Sequence, residues 1–256
     1  MKKLILSMCM IAGVSMFYSC DSSDDGISGN GDYTYKIRMT DAPGPYDKVN
    51  IDIESVTIIN GDGTTVTLDT NTGVHDLLEL NNGTNIVLAS QNLEDDQVQQ
   101  IKINLGTNNT VVVGGQSYPL TLSGSDTTGL TLNVNQTLDA NETNEIMLDF
   151  DANASVVATG TNTYKLVPAI RAFDSSVTGS ISGNVDNTSL AIVTATSVSS
   201  NHFSTSINSA GNFKILGLAP GNYTLTVTPV LPLLPVTQTN LSVQAGQNTT
   251  ASAIVF

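Results

Sequence analysis

The sequence predicts an all-β protein of two consecutive β-sandwich domains, the first of which carries one short helix. In residues 33–39, apolar side chains alternate with polar ones, the period of a half-buried strand. Many further segments of this kind follow, separated by turns rich in Asn, Gly and Asp. Many short strands with turn signals between them, and almost no helical spacing, are typical of β-sandwiches.

The first predicted domain spans residues 33–174. Its second strand alternates through Val49, Ile51 and Ile53, then changes phase to Val56 and Ile58, which predicts a bulge near residues 54–55. Asn60-Gly61-Asp62-Gly63 predicts a hairpin turn. Further strands are predicted at residues 64–68, 86–89, 98–105, 110–113, 117–122, 130–134, 145–150, 155–158 and 164–173.

One stretch has helical spacing. Val74, Leu77 and Leu78 predict a helix of about two turns that includes His75 and ends at the Asn-Asn-Gly sequence of residues 81–83.

The second predicted domain spans residues 178–256 and follows a polar break at residues 174–176. Strands are predicted at residues 179–185, 191–197, 202–207, 213–216, 222–228, 237–243 and 249–255. The short linker predicts little freedom between the two domains. The apolar segment 230–235 is either a contact patch or a loop folded over its own core, and we favour the loop.

Residues 1–19 form a lipoprotein signal peptide. Lys2 and Lys3 precede an apolar stretch of about 14 residues, which is short for a membrane span of roughly 20. The stretch ends at Phe17-Tyr18-Ser19-Cys20, so we predict Cys20 as the acylated first residue of the mature protein. The alternative is an ordinary cleaved signal or an uncleaved anchor, and Phe17 and Tyr18 are bulkier than the usual lipobox residues. The motif resembles the relaxed lipoboxes of Gram-negative bacteria.

An acidic, flexible tether is predicted from Cys20 to residue 32, because its residues are too polar to fold on their own. Asp21, Asp24 and Asp25 resemble the surface-export signal of some Gram-negative lipoproteins. We therefore expect a lipid-anchored protein of the outer membrane on the cell surface, with the periplasmic face as the alternative.

Charge and cysteine content narrow the function classes. The net charge of −14 disfavours nucleic acid and anionic membrane surfaces as partners, so membrane attachment must come from the lipid. The chain has two Cys, of which Cys9 is lost with the signal peptide and Cys20 carries the lipid. A disulfide framework and a Cys-ligated metal are thereby excluded from the mature chain.

The chain offers little catalytic chemistry. Its two His, His75 and His202, fall in different predicted domains and cannot form a multi-His metal site. The sequence has no G-x-S-x-G nucleophile motif, P-loop or dinucleotide fingerprint, so we expect no cofactor. Asp149, Asp151 and Asn153 have a spacing that suits Ca²⁺ oxygen ligands, but Ala154 and Gly160 stand where an EF-hand has Gly and Glu. We favour a position of both Asp on the solvent face of a strand.

Two further features bear on glycans. Sugar platforms usually stack rings on exposed Trp or Tyr, and this chain has no Trp. Tyr46 and Tyr118 are the candidate exposed pair, although each is more often a turn-packing residue. Asp126-Thr127-Thr128 resembles a sequon for periplasmic O-glycosylation, with Thr127 as the candidate acceptor.

Several stretches resemble the bacterial lipoprotein family known as domain of unknown function 4382 over residues 33–173. They are MTDAP, VHDLLELNNG, QVQQIKINL, VVVGGQSYPL and LDFDANASVVATGTNTYKLVPAIRAF. The resemblance implies an exported, lipid-anchored β-sandwich and brings no established activity.

Residues 179–256 resemble the carboxypeptidase regulatory-like, or transthyretin-like, sandwich. The stretch that carries this likeness is SINSAGNFKILGLAPGNYTLTVTP. The resemblance implies a spacer or an interaction platform and no peptidase activity.

Together these features predict a lipid-anchored, non-enzymatic envelope protein that serves in binding, adhesion or scaffolding. Its expected partners are the membrane, through the lipid, and either envelope proteins or glycans. The alternatives are a glycan-binding accessory lipoprotein and a cryptic hydrolase. Paired exposed aromatics in a groove would favour the first, and a polar pocket with Ser or Asp beside His75 would favour the second.

Overall fold

The protein is all-β, as the alternating pattern predicts. A computed structural model describes residues 33–122, 129–186 and 190–256, and these fall in one compact unit. The strands of the first half are β1 Tyr33–Ala42, β2 Lys48–Asn60, β3 Thr65–Thr67, β4 Asp69–Thr70, β5 Gly73–Asp76, β6 Ile86–Leu93, β7 Gln97–Leu105, β8 Thr110–Val113, β9 Gln116–Leu122, β10 Leu130–Thr137, β11 Thr143–Asp151, β12 Val156–Gly160, β13 Thr163–Leu166 and β14 Ile170–Phe173.

These strands form two sheets that enclose one hydrophobic core. The first sheet has the order β14-β11-β1-β6-β4. The second has the order β10-β7-β2-β8-β9-β13-β12, and β3 and β5 also pair with β2. The inward side chains of β1, which are Tyr35, Ile37 and Met39, are fully buried between the sheets. This is the face that the alternation of residues 33–39 predicts.

The predicted bulge and hairpin in β2 are confirmed. The register between β2 and β7 shifts between Ile53 and Ser55, and this shift keeps Ile53, Val56 and Ile58 all in the core. At the end of β2, the Asn60 carbonyl accepts the Gly63 amide at 3.0 Å, which closes the turn.

The predicted helix is shorter than its spacing suggests. Residues 73–76 are strand β5, which pairs with β2, so His75 lies in a strand and its helical placement was wrong. A single 3₁₀ turn, Leu77–Leu80, follows, and the Asp76 carboxylate caps it by accepting the Leu78 amide. Pairing with β2 therefore overrides the local helical pattern as far as Asp76.

The strand predicted over residues 164–173 is two strands in two different sheets. β13 pairs with β9 and β12, whereas β14 pairs with β11. Pro168 lies between them and has no amide proton for a sheet ladder. Ser155 holds the crossing on both sides of Pro168, since its carbonyl accepts the Val167 amide at 2.8 Å and its hydroxyl accepts the Ala169 amide at 2.9 Å.

The sequence pattern missed a four-residue α-helix, Ala152–Ser155, at the end of β11. Asp151 is its N-cap, and its Oδ1 accepts the Ala154 amide at 2.8 Å. The cap residue is therefore the signal that marks this helix in the sequence.

The second half of the chain forms a smaller sandwich with its own core. Its strands are β15 Gly179–Asp186, β16 Ala191–Ser197, β17 His202–Ser206, β18 Asn212–Leu218, β19 Gly221–Pro229, β20 Val236–Val243, β21 Asn248–Thr250 and β22 Ile254–Val255. One sheet has the order β18-β15-β21, with β22 also on β15, and the other has the order β17-β16-β19-β20. The strand predicted over residues 249–255 is thus the pair β21 and β22.

The hydrophobic core of the second sandwich is separate from that of the first. Its largest buried members include Phe213, Leu218 and Tyr223, and they do not belong to the cluster that contains Tyr35 and Phe150. Two separate cores mean that the two sandwiches can touch only through their surfaces.

The apolar loop of residues 230–235 does not fold over its own core, so our preference between the two interpretations was wrong. Leu231 is 89% exposed and Leu234 is 77% exposed. Leu190 and Ile192, which are also exposed, lie next to this loop, because the Val230 amide donates to the Leu190 carbonyl.

The two sandwiches lie close together where β14 meets β18. Gly217 has φ of +66°, and a Cβ added there would lie 2.5 Å from the Phe173 ring. The close approach therefore requires glycine at residue 217, both for its backbone angle and for its lack of a side chain.

We expect Gly217→Ala to destabilise the protein by about 1–3 kcal/mol more than Gly114→Ala does. Gly114 is the matched control, because its φ of +58° imposes a similar backbone strain while nothing lies within 4 Å of its added Cβ. Urea denaturation of both variants measures the difference. Equal destabilisation would contradict close packing between Gly217 and Phe173.

Candidate functional site

Arg171 joins the two sandwiches. It lies on β14, directly after the crossing at Pro168, and forms an ion pair with Asp149 of β11 through Nε at 2.8 Å and Nη2 at 2.6 Å. The same guanidinium donates to the carbonyl oxygens of Leu216 and Gly217 in the second sandwich at 3.0 and 2.8 Å. One side chain thus donates hydrogen bonds to both halves of the protein.

Aromatic rings hold the guanidinium in place. The Arg171 Cζ atom lies 4.8 Å from the centroid of the Phe173 ring and 4.6 Å from that of the Phe203 ring. Phe173 belongs to the first sandwich and Phe203 to the second. Cation–π contacts of this kind strengthen when water is excluded, so the stack adds to the hydrogen bonds at the junction.

The Asn82-Gly83 turn makes a second contact across the junction. The Asn82 amide donates to the Thr205 hydroxyl at 3.1 Å, and its Nδ2 donates to the Asn212 carbonyl at 2.9 Å. Thr205 is only 2% exposed. Together with Arg171, this turn fixes the two sandwiches at two separate points.

Asp41 is buried in the first sandwich beside the junction. Its Oδ1 accepts the Ala152 amide at 3.0 Å, but its Oδ2 is buried without a hydrogen-bond partner. Burial raises the pKa of Asp41 to about 9, and the nearby Asp149 and Asp151 carboxylates raise it further against the lowering effect of that backbone bond. Asp41 is therefore protonated at neutral pH.

A cleft of about 450 Å³ opens at the junction, within the range of about 300–1,000 Å³ that small ligands occupy. The lining residues come from both sandwiches: Ala42, Pro43, Asp149, Asp151, Asn153, Ala169, Ile170, Arg171, His202, Phe203 and Ser204. A small void of about 20 Å³ next to it shares Asp149, Arg171, Phe203 and Ser204 with the cleft and is also lined by Asp41.

The three predicted metal candidates, Asp149, Asp151 and Asn153, do come together in this cleft. However, Asp149 is not on a solvent face, since its side chain is only 13% exposed and is covered by Arg171, so that placement was wrong. The alternation along β11 is correct, but Arg171 of β14 covers its outer face at this point. In residues 33–122, 129–186 and 190–256, no group of three or more His, Cys, Asp or Glu is arranged to hold a metal ion.

Burial also raises the pKa of Asp149, an effect that the Arg171 guanidinium offsets only in part. Asp149 and Asp41 thus share one poorly hydrated region, in which Arg171 is the counter-charge.

The two His have different hydrogen-bond partners and do not bond to each other. His75 contacts the Asn71 carbonyl at 3.0 Å, and it does not line the cleft. His202 lines the cleft, but its Nδ1 bonds the Thr196 hydroxyl and the neighbouring Ser204 hydroxyl bonds Thr194. Among the described residues, His202 and Ser204 do not bond to each other.

The Tyr candidates pack against the first core. Tyr46 donates to the Val156 carbonyl at 3.2 Å, and Tyr118 packs at 5.5 Å from the ring of Tyr164. All three are half-buried against the core. Tyr46 and Tyr118 therefore serve as packing residues and do not form an exposed pair for stacking on a sugar.

The remaining predicted residues lie outside the described part of the chain. These are Cys20, Asp21, Asp24 and Asp25 near the N-terminus and the glycosylation candidate Thr127. In the residues that the structure does describe, no helix is both long and apolar enough to cross a membrane.

Arg171 and Asp41 were not identified as functional residues from the sequence. The signal for Arg171 is a lone positive charge within an otherwise apolar strand, Ile170–Phe173. The signal for Asp41 is its place at the end of a strand whose inward side chains are all apolar.

The family model for a domain of unknown function, DUF4382, matches residues 34–168, just over half of the chain. The match covers most of the first sandwich and ends three residues before Arg171. No curated protein matches the chain.

Similarity to solved structures is weak. The Bacillus anthracis TIE protein matches at 13% identity and a TM-score of 0.24, over 88% of this chain and 34% of that one. A leucine-rich repeat protein from Bacteroides thetaiotaomicron matches at 13% identity and a TM-score of 0.21, over 88% of this chain and 26% of that one. The minor pilin of Streptococcus agalactiae matches at 12% identity and a TM-score of 0.23, over 86% and 94% of the two chains. The chain therefore spans about a third or less of the first two of these proteins.

We expect Asp41→Asn to stabilise the protein relative to the wild type, and increasingly so as the pH rises. The unfolded carboxyl ionises near pH 3.8 and the folded one near pH 9, so the folded wild type must hold a proton that the unfolded chain releases. The stability that the neutral carboxyl confers is complete below about pH 4 and is lost towards pH 9, by up to about 1.4 kcal/mol per pH unit. Asn keeps the neutral, hydrogen-bonding shape at every pH.

Thermal unfolding at pH 5, 6.5 and 8 measures this difference. Asp186→Asn, which removes an exposed carboxylate outside the cleft, is the control and should show no such trend. A difference between Asp41→Asn and the wild type that does not change with pH would contradict a protonated Asp41.

Proposed function

For a chain that belongs to the DUF4382 family, we propose a role as a lipid-anchored, non-enzymatic binding protein of the cell envelope, with the junction cleft as its binding site. The observation that carries this proposal is the pairing of a fixed junction with a cleft built from both sandwiches. A preformed, concave surface of suitable volume is the usual location of a ligand site.

The hydrogen bonds and ring contacts of the side chains that line the cleft favour a binding role over a catalytic one. Arg171 is engaged by Asp149 and by two carbonyl oxygens, and it stacks on two rings. Ser204 is bonded to Thr194, and Nδ1 of His202 is bonded to Thr196. A nucleophile needs a general base within hydrogen-bond reach, and no hydrogen bond joins Ser204 to His202 among the described residues.

The anchor and the location belong to the same proposal. Acylation at Cys20 would tie the protein to the outer membrane, and Asp21, Asp24 and Asp25 would direct it to the cell surface, with the periplasmic face as the alternative. Thr127 would accept an O-linked glycan. These assignments rest on the sequence motifs.

The division of labour between the two sandwiches is also proposed. Residues 33–174 would form the family domain, and residues 178–256 a carboxypeptidase regulatory-like module that serves as an interaction platform. Its separate hydrophobic core supports this division. The exposed apolar loop of residues 230–235 lies in this second module.

Cys20→Ala is expected to release the protein from the membrane fraction, because two or three acyl chains supply the anchoring. Cys9→Ala is the matched control: it removes the other Cys of the chain, which is cleaved off with the signal peptide, and the protein should stay in the membrane. Labelling with radioactive palmitate should follow the same pattern. A Cys20→Ala protein that remains in the membrane would disprove the lipoprotein assignment.

Photo-crosslinking in living cells tests the binding site itself. The photoreactive p-benzoylphenylalanine, placed at the exposed residue Asn153 on the cleft, should give covalent adducts on irradiation. The same probe at Thr131, an exposed residue of β10 that does not line the cleft, is the control. Adducts at residue 153 alone support the proposed site. Equal labelling at both positions, or none at 153, would contradict it.

A further inference from the structure

The junction cleft has hydrogen-bonding groups that the protein itself does not use. Arg171 occupies only Oδ2 of Asp149, and the Ala154 amide occupies only Oδ1 of Asp151. The second oxygen of each carboxylate, the Asn153 amide group and Nε2 of His202 have no hydrogen-bond partner among the described residues. All four side chains line the cleft. The unused groups include both acceptors and donors, because the two carboxylate oxygens only accept whereas the Asn153 amide group also donates, so a complementary ligand must do both.

A second observation points to a ligand with hydroxyl groups. Asp41, which is 5% exposed, carries a buried Oδ2 without a partner and lines the small void beside the cleft. At about 20 Å³, this void has room for one hydroxyl oxygen or one water molecule. Because Asp41 is protonated at neutral pH, its group there is a donor, so the partner must accept a hydrogen bond. A hydroxyl oxygen can do so.

The charges of the cleft select against charged ligands. Arg171 neutralises Asp149, so Asp151 is the one charged Asp or Arg of the lining without an ionic partner. A divalent cation would meet the Arg171 guanidinium and would lack the group of three ligands that it needs. An anion would meet Asp151 and the net charge of −14 of the whole chain.

One wall of the cleft is apolar. Ala42, Pro43, Ala169 and Ile170 lie in the lining together with the carboxylates. A sugar ring has such a mixed character, with hydroxyl groups on its edge and C–H groups on its faces. A pocket that places polar groups against an apolar wall fixes the orientation of such a ligand.

From these features, and resting on the proposed function, we infer that the junction cleft binds a neutral saccharide. Asp151 and Asn153 hold vicinal hydroxyl groups of one sugar residue, and the free oxygen of Asp149 accepts a further one. The apolar wall packs against the ring face. Both sandwiches contribute to the site, so binding depends on the junction that Arg171 holds.

The test is calorimetric titration of the full-length, lipid-anchored protein in detergent with three sets of hexasaccharides. The first set is neutral and built of mannose, galactose or glucose, the second is built of galacturonic acid, and the third is built of glucosamine. We expect binding of at least one neutral hexasaccharide, and weaker or no binding of the anionic and cationic sets. Preference for either charged set, or no binding at all, would overturn the inference.

Three variants locate the binding. Asp151→Asn keeps the helix cap, because Asn also caps helices, and should weaken binding of the neutral sugar at least tenfold. Asn153→Ala should weaken it several-fold, and Asp186→Asn, which removes an exposed carboxylate elsewhere, should change it less than twofold. Unchanged binding in Asp151→Asn would place the sugar outside the cleft and overturn the inference.

The two proposals can fail separately. If no saccharide binds but the photoreactive probe at residue 153 still forms specific adducts, the cleft is a binding site for another class of ligand. If both experiments are negative, the binding function itself is wrong.

Discussion

The arrangement of the two sandwiches depends on Arg171, which its ion pair with Asp149 holds in place. Each sandwich has its own hydrophobic core, so no shared core fixes their relative position. Arg171 supplies one connection instead, through the carbonyl oxygens of Leu216 and Gly217 and the ring of Phe203, and the Asn82-Gly83 turn supplies a second. Loss of either charged partner would leave the other desolvated and unpaired, which is far more costly than the loss of an exposed ion pair.

The same interaction explains the chemistry of the cleft. Asp41 lines the small void beside this ion pair, and burial keeps its carboxyl neutral beside two other carboxylates. The cleft then has free acceptors and donors but little net charge. Under the proposed function, such a site would distinguish its ligands by hydrogen-bond geometry more than by charge, because a ligand that leaves its buried polar groups unpaired is rejected.

Much of the fold follows from local sequence patterns, whereas the junction does not. The alternation in β1 and the phase change in β2 report which side chains face a core, and both are visible along the chain. The burial of Asp149 depends on Arg171, which lies 22 residues further along the chain, so the strand of Asp149 gives no sign of it. The division of residues 164–173 between two sheets is an intermediate case, because Pro168 marks the break but not the change of partner. The helix predicted at His75 is an error of the opposite kind. The local spacing there is helical, but pairing with β2 places the residue in a strand.

The most direct test of the junction is the distance between one spin label in each sandwich. Thr131→Cys and Thr239→Cys, both at exposed positions, allow specific labelling in a Cys9→Ala, Cys20→Ala background, because the chain has no other Cys. Pulsed electron–electron double resonance should then give one narrow distribution of distances between the two labels. Arg171→Ala should broaden it, and Lys48→Ala, which removes the ion pair with Asp76 within the first sandwich, should leave it unchanged. A broad distribution in the unsubstituted junction, or a narrow one that survives Arg171→Ala, would contradict the central role of Arg171.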